Sequence, residues 1–205
     1  MIYFILLLMA VMGYLFGSLN FAVIIGKLFY KTDVRQHGSG NAGATNVQRT
    51  LGSKAAAFVA LGDFLKGIAA YFIAYLVGGI FEQPVLFGCI CGFAAVIGHN
   101  YPLYFHFKGG KGILTSLGLS FAIDWRAALI TLAVSILIIA LTRYVSLGSI
   151  LGCIANVGLI LLFDADPLKI WFIALLAVLA VIRHHANIKR LIKGEEAKLG
   201  AKKKG

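Results

Sequence analysis

Residues 105–116 read FHFKGGKGILTS, with two lysines and three glycines packed into positions 108–112. A glycine loop can turn its backbone N–H groups toward one point and form a concavity for an anion. Lysines beside it add positive charge. Phosphate is the guest that such chemistry suits. The loop is not a nucleotide-binding P-loop: nothing matches G-x-x-x-x-G-K-[ST], and Lys111 is followed by Gly112.

Two more polar islands interrupt an otherwise apolar chain. The first, HGSGNAGATNVQRTLG at 37–52, is rich in Gly, Ser, Asn and Thr, which bend the backbone and present short donors. Thr45 and Asn46 are placed to open a helix with its N–H groups toward an anion, with Arg49 about one turn in. The other, RHHANIKRLIKGEE, occupies 183–196. Carboxylates are scarce around these islands: Asp33 stands alone, and Glu195 and Glu196 lie near the end of the chain. A Mg²⁺-dependent phosphoryl transferase needs carboxylate ligands. The expected site is therefore cationic, without metal or cofactor, for a substrate that brings its own negative charge. Each island alone has a plainer reading. KGGKG can touch lipid headgroups, Ser39 can cap a turn, and His184 can anchor a helix end.

The elements that must position these groups are membrane helices. The 205 residues are 60% hydrophobic and 13% charged, with a net charge of +11. That is too few charged residues for a soluble domain of this size. A hydrocarbon core of ~30 Å needs about 20 apolar residues per helix. The chain is a succession of such runs, so we expect an all-α polytopic membrane protein: a single domain, 1–205, with no linker, separate soluble domain or obvious repeat. The first run, Ile2 to about Gly26, has no positive charge before it and Lys27, Lys31 and Arg35 after it, the reverse of a secretory signal. Its cationic flank belongs in the cytoplasm, which places the N-terminus outside. Runs at about 54–80 and 85–98 then deliver the KGGKG loop to the cytoplasmic face.

Residues 113–142 form either one long helix or two split at Asp124-Trp125-Arg126. The split gives seven segments and a cytoplasmic C-terminus. It leaves only Lys66, Arg126 and Lys169 among the basic residues away from the cytoplasm. The motif loops 31–53 and 99–112 and the tail 184–205 then share one face, and the basic charge serves a membrane surface, with no nucleic-acid partner. The 113–123 stretch is short and is expected inside the protein or part-way across the bilayer. Asp63 and Lys66, three apart in GDFLKG, are expected to pair and neutralise each other within a helix; a proton or ion site is the alternative. Cys89, Cys91 and Cys153 lie in apolar segments and read as packing residues. Gly13, Gly17 and Ser18 read as small residues for close helix packing.

These three islands, in this order, resemble the motifs of the bacterial acyl-phosphate:glycerol-3-phosphate acyltransferases, the PlsY type. GSGNAGATNVQRTLG resembles the first signature, with Ala42 where the family often has Pro. FKGGKG after GHNYP resembles the second, and RHHANIKRLIKGEE the third. DFLKG also recurs in that family, and the resemblance covers essentially the whole chain. It implies a seven-helix membrane enzyme of the bacterial plasma membrane. That enzyme moves a fatty acyl group from acyl phosphate to the 1-hydroxyl of glycerol 3-phosphate, giving lysophosphatidic acid and phosphate. The implied partners are these two substrates, membrane lipid and the soluble enzyme that produces the acyl phosphate.

By the same resemblance, Ser39, Arg49, His184 and Asn187 are the catalytic candidates. Gly40, Asn41, Thr45, Asn46, Lys108, Gly109, Gly110, Lys111 and Gly112 are the substrate- and phosphate-binding set. Glu196 is structural, as are Asp63 and Lys66. Three routes remain open for the chemistry: His184 as general base, a substrate phosphate taking the proton, or a covalent acyl-Ser39. A small organophosphate or phosphate transporter is the alternative from another class.

Overall fold

The computed structural model describes residues 1–200. Lys202, Lys203 and Lys204 of the expected basic tail lie outside the described residues. The described chain is helical, without strands, and falls into two compact units, Met1–Ile123 and a second beginning at Asp124.

The first unit runs α1 (Ile2–Gly17), α2 (Phe21–Tyr30), α3 (Ala44–Leu51), α4 (Ser53–Gly79), α5 (Pro84–Asn100) and α6 (Ile113–Ile123). The expected first helix is in fact two. The chain breaks at Ser18–Asn20, and Asn20 starts α2 by accepting from the Val23 N–H at 3.1 Å. Serine and asparagine are tolerated inside apolar helices, so the break is visible only once that cap forms. α2 stops at Lys31, in the left-handed conformation at φ 54°. The first polar island is not all loop, since α3 lies within it.

Helices of this unit approach through glycines. A Cβ on Gly17 would stand 2.0 Å from the Ala95 carbonyl oxygen, and one on Gly13 2.3 Å from that of Cys91, so α1 lies directly on α5. Gly67 and Gly118 do the same between α4 and α6, against the carbonyl oxygens of Thr115 (2.2 Å) and Phe64 (2.1 Å). Small residues at such crossings let dispersion contacts hold helices where lipid provides no hydrophobic drive. Ala70, Ala74, Phe87, Cys91 and Ala95 form one buried cluster. Another, including Val23, Val34, Ala42 and Val47, lies under the first polar island.

The second unit contains α7 (Trp125–Thr142), α8 (Val145–Phe163), α9 (Pro167–Arg183) and α10 (His185–Ile192). Asp124 is extended and caps α7, accepting from the N–H groups of Arg126 (2.9 Å) and Ala127 (3.0 Å), so the 113–142 stretch is indeed two helices. Asp166 caps α9 in the same way, with Pro167 at its first position.

All seven apolar runs are helical. Five stretches of the described chain, Ile2–Tyr30, Ser53–Gly79, Pro84–Phe105, Trp125–Thr142 and Val145–Phe163, are long and apolar enough to cross a bilayer. α9 and α10, bent by 60°, make a sixth if taken as one span, and α6 is the short apolar helix. Large apolar side chains such as Leu76, Leu141, Leu162 and Trp171 point outward, as a lipid solvent requires. The three cysteines are free thiols.

The glycine crossings give a direct test. Gly118→Ala drives a methyl group into the α4 backbone and should destabilise the protein by about 1–3 kcal/mol, the range for overpacking. Gly158→Ala on α8, where a Cβ meets nothing within 4 Å, should leave the thermal midpoint in detergent unchanged or higher. Equal midpoints for the two variants would contradict the packing described.

Candidate functional site

The first island is organised around Asn46, which is 1% exposed. Its Oδ1 accepts from both the backbone N–H (2.8 Å) and the Oγ (3.1 Å) of Ser39. Its Nδ2 donates to the carbonyls of Val34 (2.7 Å) and His37 (3.1 Å). Asn46 thus folds the loop and sets the direction of the exposed Ser39. Gly38 must be glycine for this arrangement: its φ is +60°, and a Cβ there would lie 2.3 Å from Asn46 Oδ1. α3 begins at Ala44, with Thr45 half-buried in its first turn and Arg49 exposed further along it. Gly40 and Asn41 sit in the turn before α3.

Arg35 connects this island to the second. Asp33 holds its guanidinium at Nε (2.9 Å) and Nη2 (2.7 Å), while Nη1 donates to the carbonyls of Phe105 (2.8 Å) and Lys108 (3.2 Å). The hydrogen bond from Arg35 keeps the Asp33 carboxyl at about 2, well below its ordinary value, and Arg35 is raised in turn. Asp33 is therefore engaged with Arg35.

In the second island the glycines serve contact more than mobility. The chain passes through left-handed His106 and Phe107 (φ 57° and 58°) and folds back onto the end of α5. Gly110 donates its N–H to the His99 carbonyl at 3.1 Å. A Cβ on Gly109 would meet that same oxygen at 2.1 Å. One on Gly110 would meet His99 Nε2 at 2.2 Å and the Ala42 carbonyl oxygen at 2.5 Å. The two islands therefore close on one another over His99. Gly110 and Gly112 are buried, Lys111 is half-buried and Lys108 is exposed.

Beneath them lies the expected pair: Lys66 Nζ is 2.8 Å from Asp63 Oδ1, both side chains 1% exposed. Lys66 also donates to the Leu19 carbonyl, left over at the end of α1, at 2.9 Å, and lies 2.9 Å from His99 Nδ1. Asn20 donates to the Ala42 carbonyl at 3.3 Å. Neither His99, Asn20 nor Arg35 stood out as a site residue in the sequence. The only signal was that GHNYP directly precedes the loop.

The third island belongs to the second unit. His184 ends α9, is 2% exposed, and donates from Nδ1 to the Ala180 carbonyl at 2.7 Å. In the neutral ring this leaves Nε2 as the basic nitrogen. Glu196 gathers hydrogen bonds from Asn187 Nδ2 (2.6 Å), Ser146 Oγ (2.7 Å) and Arg190 Nε (2.7 Å). Burial opposes ionisation of Glu196, but these three donors outweigh it and hold its carboxyl below the ordinary value. Glu196 thus fixes Asn187 and, with the Arg143–Leu199 backbone pairing at 2.7 Å, folds the chain end back on α8. Among the described residues, no three His, Cys, Asp or Glu side chains gather as a metal site.

Comparison with known proteins bears directly on this arrangement. The family model described as "Glycerol-3-phosphate acyltransferase" matches residues 7–194. A glycerol-3-phosphate acyltransferase of Thermoanaerobacter pseudethanolicus is 46% identical over 196 residues, covering 95% of this chain and 96% of its own. Another, from Clostridioides difficile, is 41% identical over 201 residues, covering 96% and 97%. Among solved structures, the chain is similar to PlsY (YgiH), an integral membrane glycerol 3-phosphate acyltransferase, at 39% identity. For its glycerol 3-phosphate form the TM-score is 0.88, covering 95% of this chain and 96% of that one. For its lysophosphatidic acid form the TM-score is 0.86, covering 95% of each. With its three motifs in order and matched along nearly their full length, this chain belongs to the glycerol-3-phosphate acyltransferase family.

Proposed function

We propose that this chain transfers a fatty acyl group from acyl phosphate to the 1-hydroxyl of glycerol 3-phosphate, releasing lysophosphatidic acid and inorganic phosphate. The observation that carries the reading is the closure of two cationic, glycine-rich islands on one another, in a chain similar to proteins solved with glycerol 3-phosphate and with lysophosphatidic acid. The enzyme works in the bacterial plasma membrane with its N-terminus outside. By the positive-inside rule both islands belong at the cytoplasmic surface, where a soluble enzyme can supply acyl phosphate.

Phosphate is a good leaving group, so the protein's task is placement and charge stabilisation. Arg49, Thr45, Lys108, Lys111 and the N–H groups of Gly109 and Gly112 hold phosphoryl oxygens, while Gly110 ties the loop to the His99 carbonyl and Ser39 lies beside them with its hydroxyl proton directed to Asn46. Fixed donors of this kind act most strongly where charge develops in the transition state. Asn46 contributes by holding Ser39, and Gly40 and Asn41 by shaping the turn. Asn187, held by Glu196, keeps the catalytic role that the family resemblance implies. For the proton of the attacking hydroxyl, a substrate phosphate is the acceptor, since a phosphomonoester has a second pKa of ~6. His184, whose Nδ1 is held by the Ala180 carbonyl, is not the base in this reading.

Two measurements test this. Purified protein in detergent with glycerol 3-phosphate, palmitoyl phosphate and excess EDTA should release phosphate matched by lysophosphatidic acid, with no product from acyl-CoA. Turnover with acyl-CoA, or loss of activity to EDTA, would contradict the donor or the metal-free site. Without turnover from either donor, uptake by sealed vesicles would favour the transporter reading. His184→Gln should retain activity within about tenfold; a fall of about 10²–10⁴ would make His184 the general base instead.

A further inference from the structure

The hydrogen-bond logic under the glycine loop assigns a proton. Lys66 carries an ammonium, which has donors and no lone pair. Asp63 Oδ1 lies 2.8 Å from its Nζ, within the buried pair. An ammonium at Lys66 meets His99 Nδ1, 2.9 Å away, by donating an N–H into the lone pair of that nitrogen. In that arrangement His99 Nδ1 carries no proton and the ring hydrogen sits on Nε2. Asp63 Oδ1 lies 3.3 Å from the same Nδ1, and a ring that instead donated an Nδ1–H to it would be the opposite tautomer. The opposite ring edge is the one under the loop, where Nε2 and the Ala42 carbonyl oxygen both crowd the place a Gly110 Cβ would occupy.

We propose that His99 is a positioning residue for the anion site, locked by Asp63 and Lys66 into the tautomer that presents an Nε2–H to the junction of the two motif loops. Its N–H keeps the Gly109–Gly112 segment and the Ala42 turn in register, so that the loop N–H groups converge on one phosphate. The proposal gives the buried Asp63–Lys66 pair a task other than self-neutralisation: it sets the direction of a hydrogen bond at the base of the phosphate loop. It also explains why the loop needs glycine at Gly110, where any side chain would displace either His99 or the first island.

Two arms test it, the second resting on the proposed function and the first not. In wild-type protein with ¹⁵N-labelled histidine, the His99 ring, identified by its loss in His99→Gln, should show a protonated Nε2 and an unprotonated Nδ1. Its signal should move when inorganic phosphate is added. The reverse tautomer, a doubly protonated ring, or indifference to phosphate would overturn the proposal. In the kinetic arm, His99→Leu should raise KM for glycerol 3-phosphate roughly threefold to tenfold, the effect of one lost hydrogen bond, with kcat changed less than about twofold. His99→Gln places an amide N–H near the Nε2 position and should recover most of that loss. An unchanged KM in the leucine variant, or a glutamine variant no better than it, would overturn the assignment. If the leucine variant fails to elute as a folded species, the wild-type spectrum decides. A wild type with no acyl transfer at all refutes the proposed function and leaves the spectroscopic arm standing.

Discussion

A charged lysine enclosed among helices must be surrounded by acceptors or it is strongly destabilising. Lys66 meets this constraint with three groups from three places: its own helix (Asp63), the end of α5 (His99) and the break between α1 and α2 (Leu19). The last of these requires the break. In a continuous helix the Leu19 carbonyl would be committed four residues on; the interruption at Ser18–Asn20 leaves it for the lysine. One buried cation thus joins the broken first span, α4 and α5, and the two motif loops of the first unit are mounted on that junction.

The polar loops inherit their shape from it. Backbone that leaves a helix near a membrane has to be satisfied within the protein, and here the partners are specific. Asn46 takes up two carbonyls and Ser39, Arg35 takes up two carbonyls of the second loop, and the His99 carbonyl takes the Gly110 N–H. The electrostatics follow the same economy. Asp33 neutralises Arg35, which bridges to the carbonyls of the second loop. In the second unit Glu196, held ionised by its donors, does for Asn187 what Asn46 does for Ser39.

Much of this was legible in the residues. Seven apolar runs, the break at Asp124, the Asp63–Lys66 pair and the three islands follow from run length, the distribution of basic residues along the chain, spacing of three on a helix, and glycine with lysine. The features that escaped are those settled by distant partners. The interruption at Ser18–Asn20 looks like ordinary small polar residues in an apolar helix until Ala42 and Lys66 supply partners. Arg35 sits two residues from Asp33, a spacing no helix rule marks, and its other partners are some seventy positions away. His99 looks like the end of an apolar helix, because its meaning depends on Lys66 on one edge and Gly110 on the other. The glycines of KGGKG read as a source of N–H groups for an anion; close contact with α5 is a tertiary property that composition does not show.

The central claim is that the two closed islands form one anion seat that needs no metal. Its most direct test is a calorimetric titration of glycerol 3-phosphate into the purified protein, without acyl donor, in EDTA at low and raised salt, beside Lys111→Ala. The account predicts saturable binding that persists in EDTA, weakens as salt screens the cationic loops, and weakens further in the variant. Binding that appears only with a divalent cation, or that Lys111→Ala leaves untouched, would contradict it.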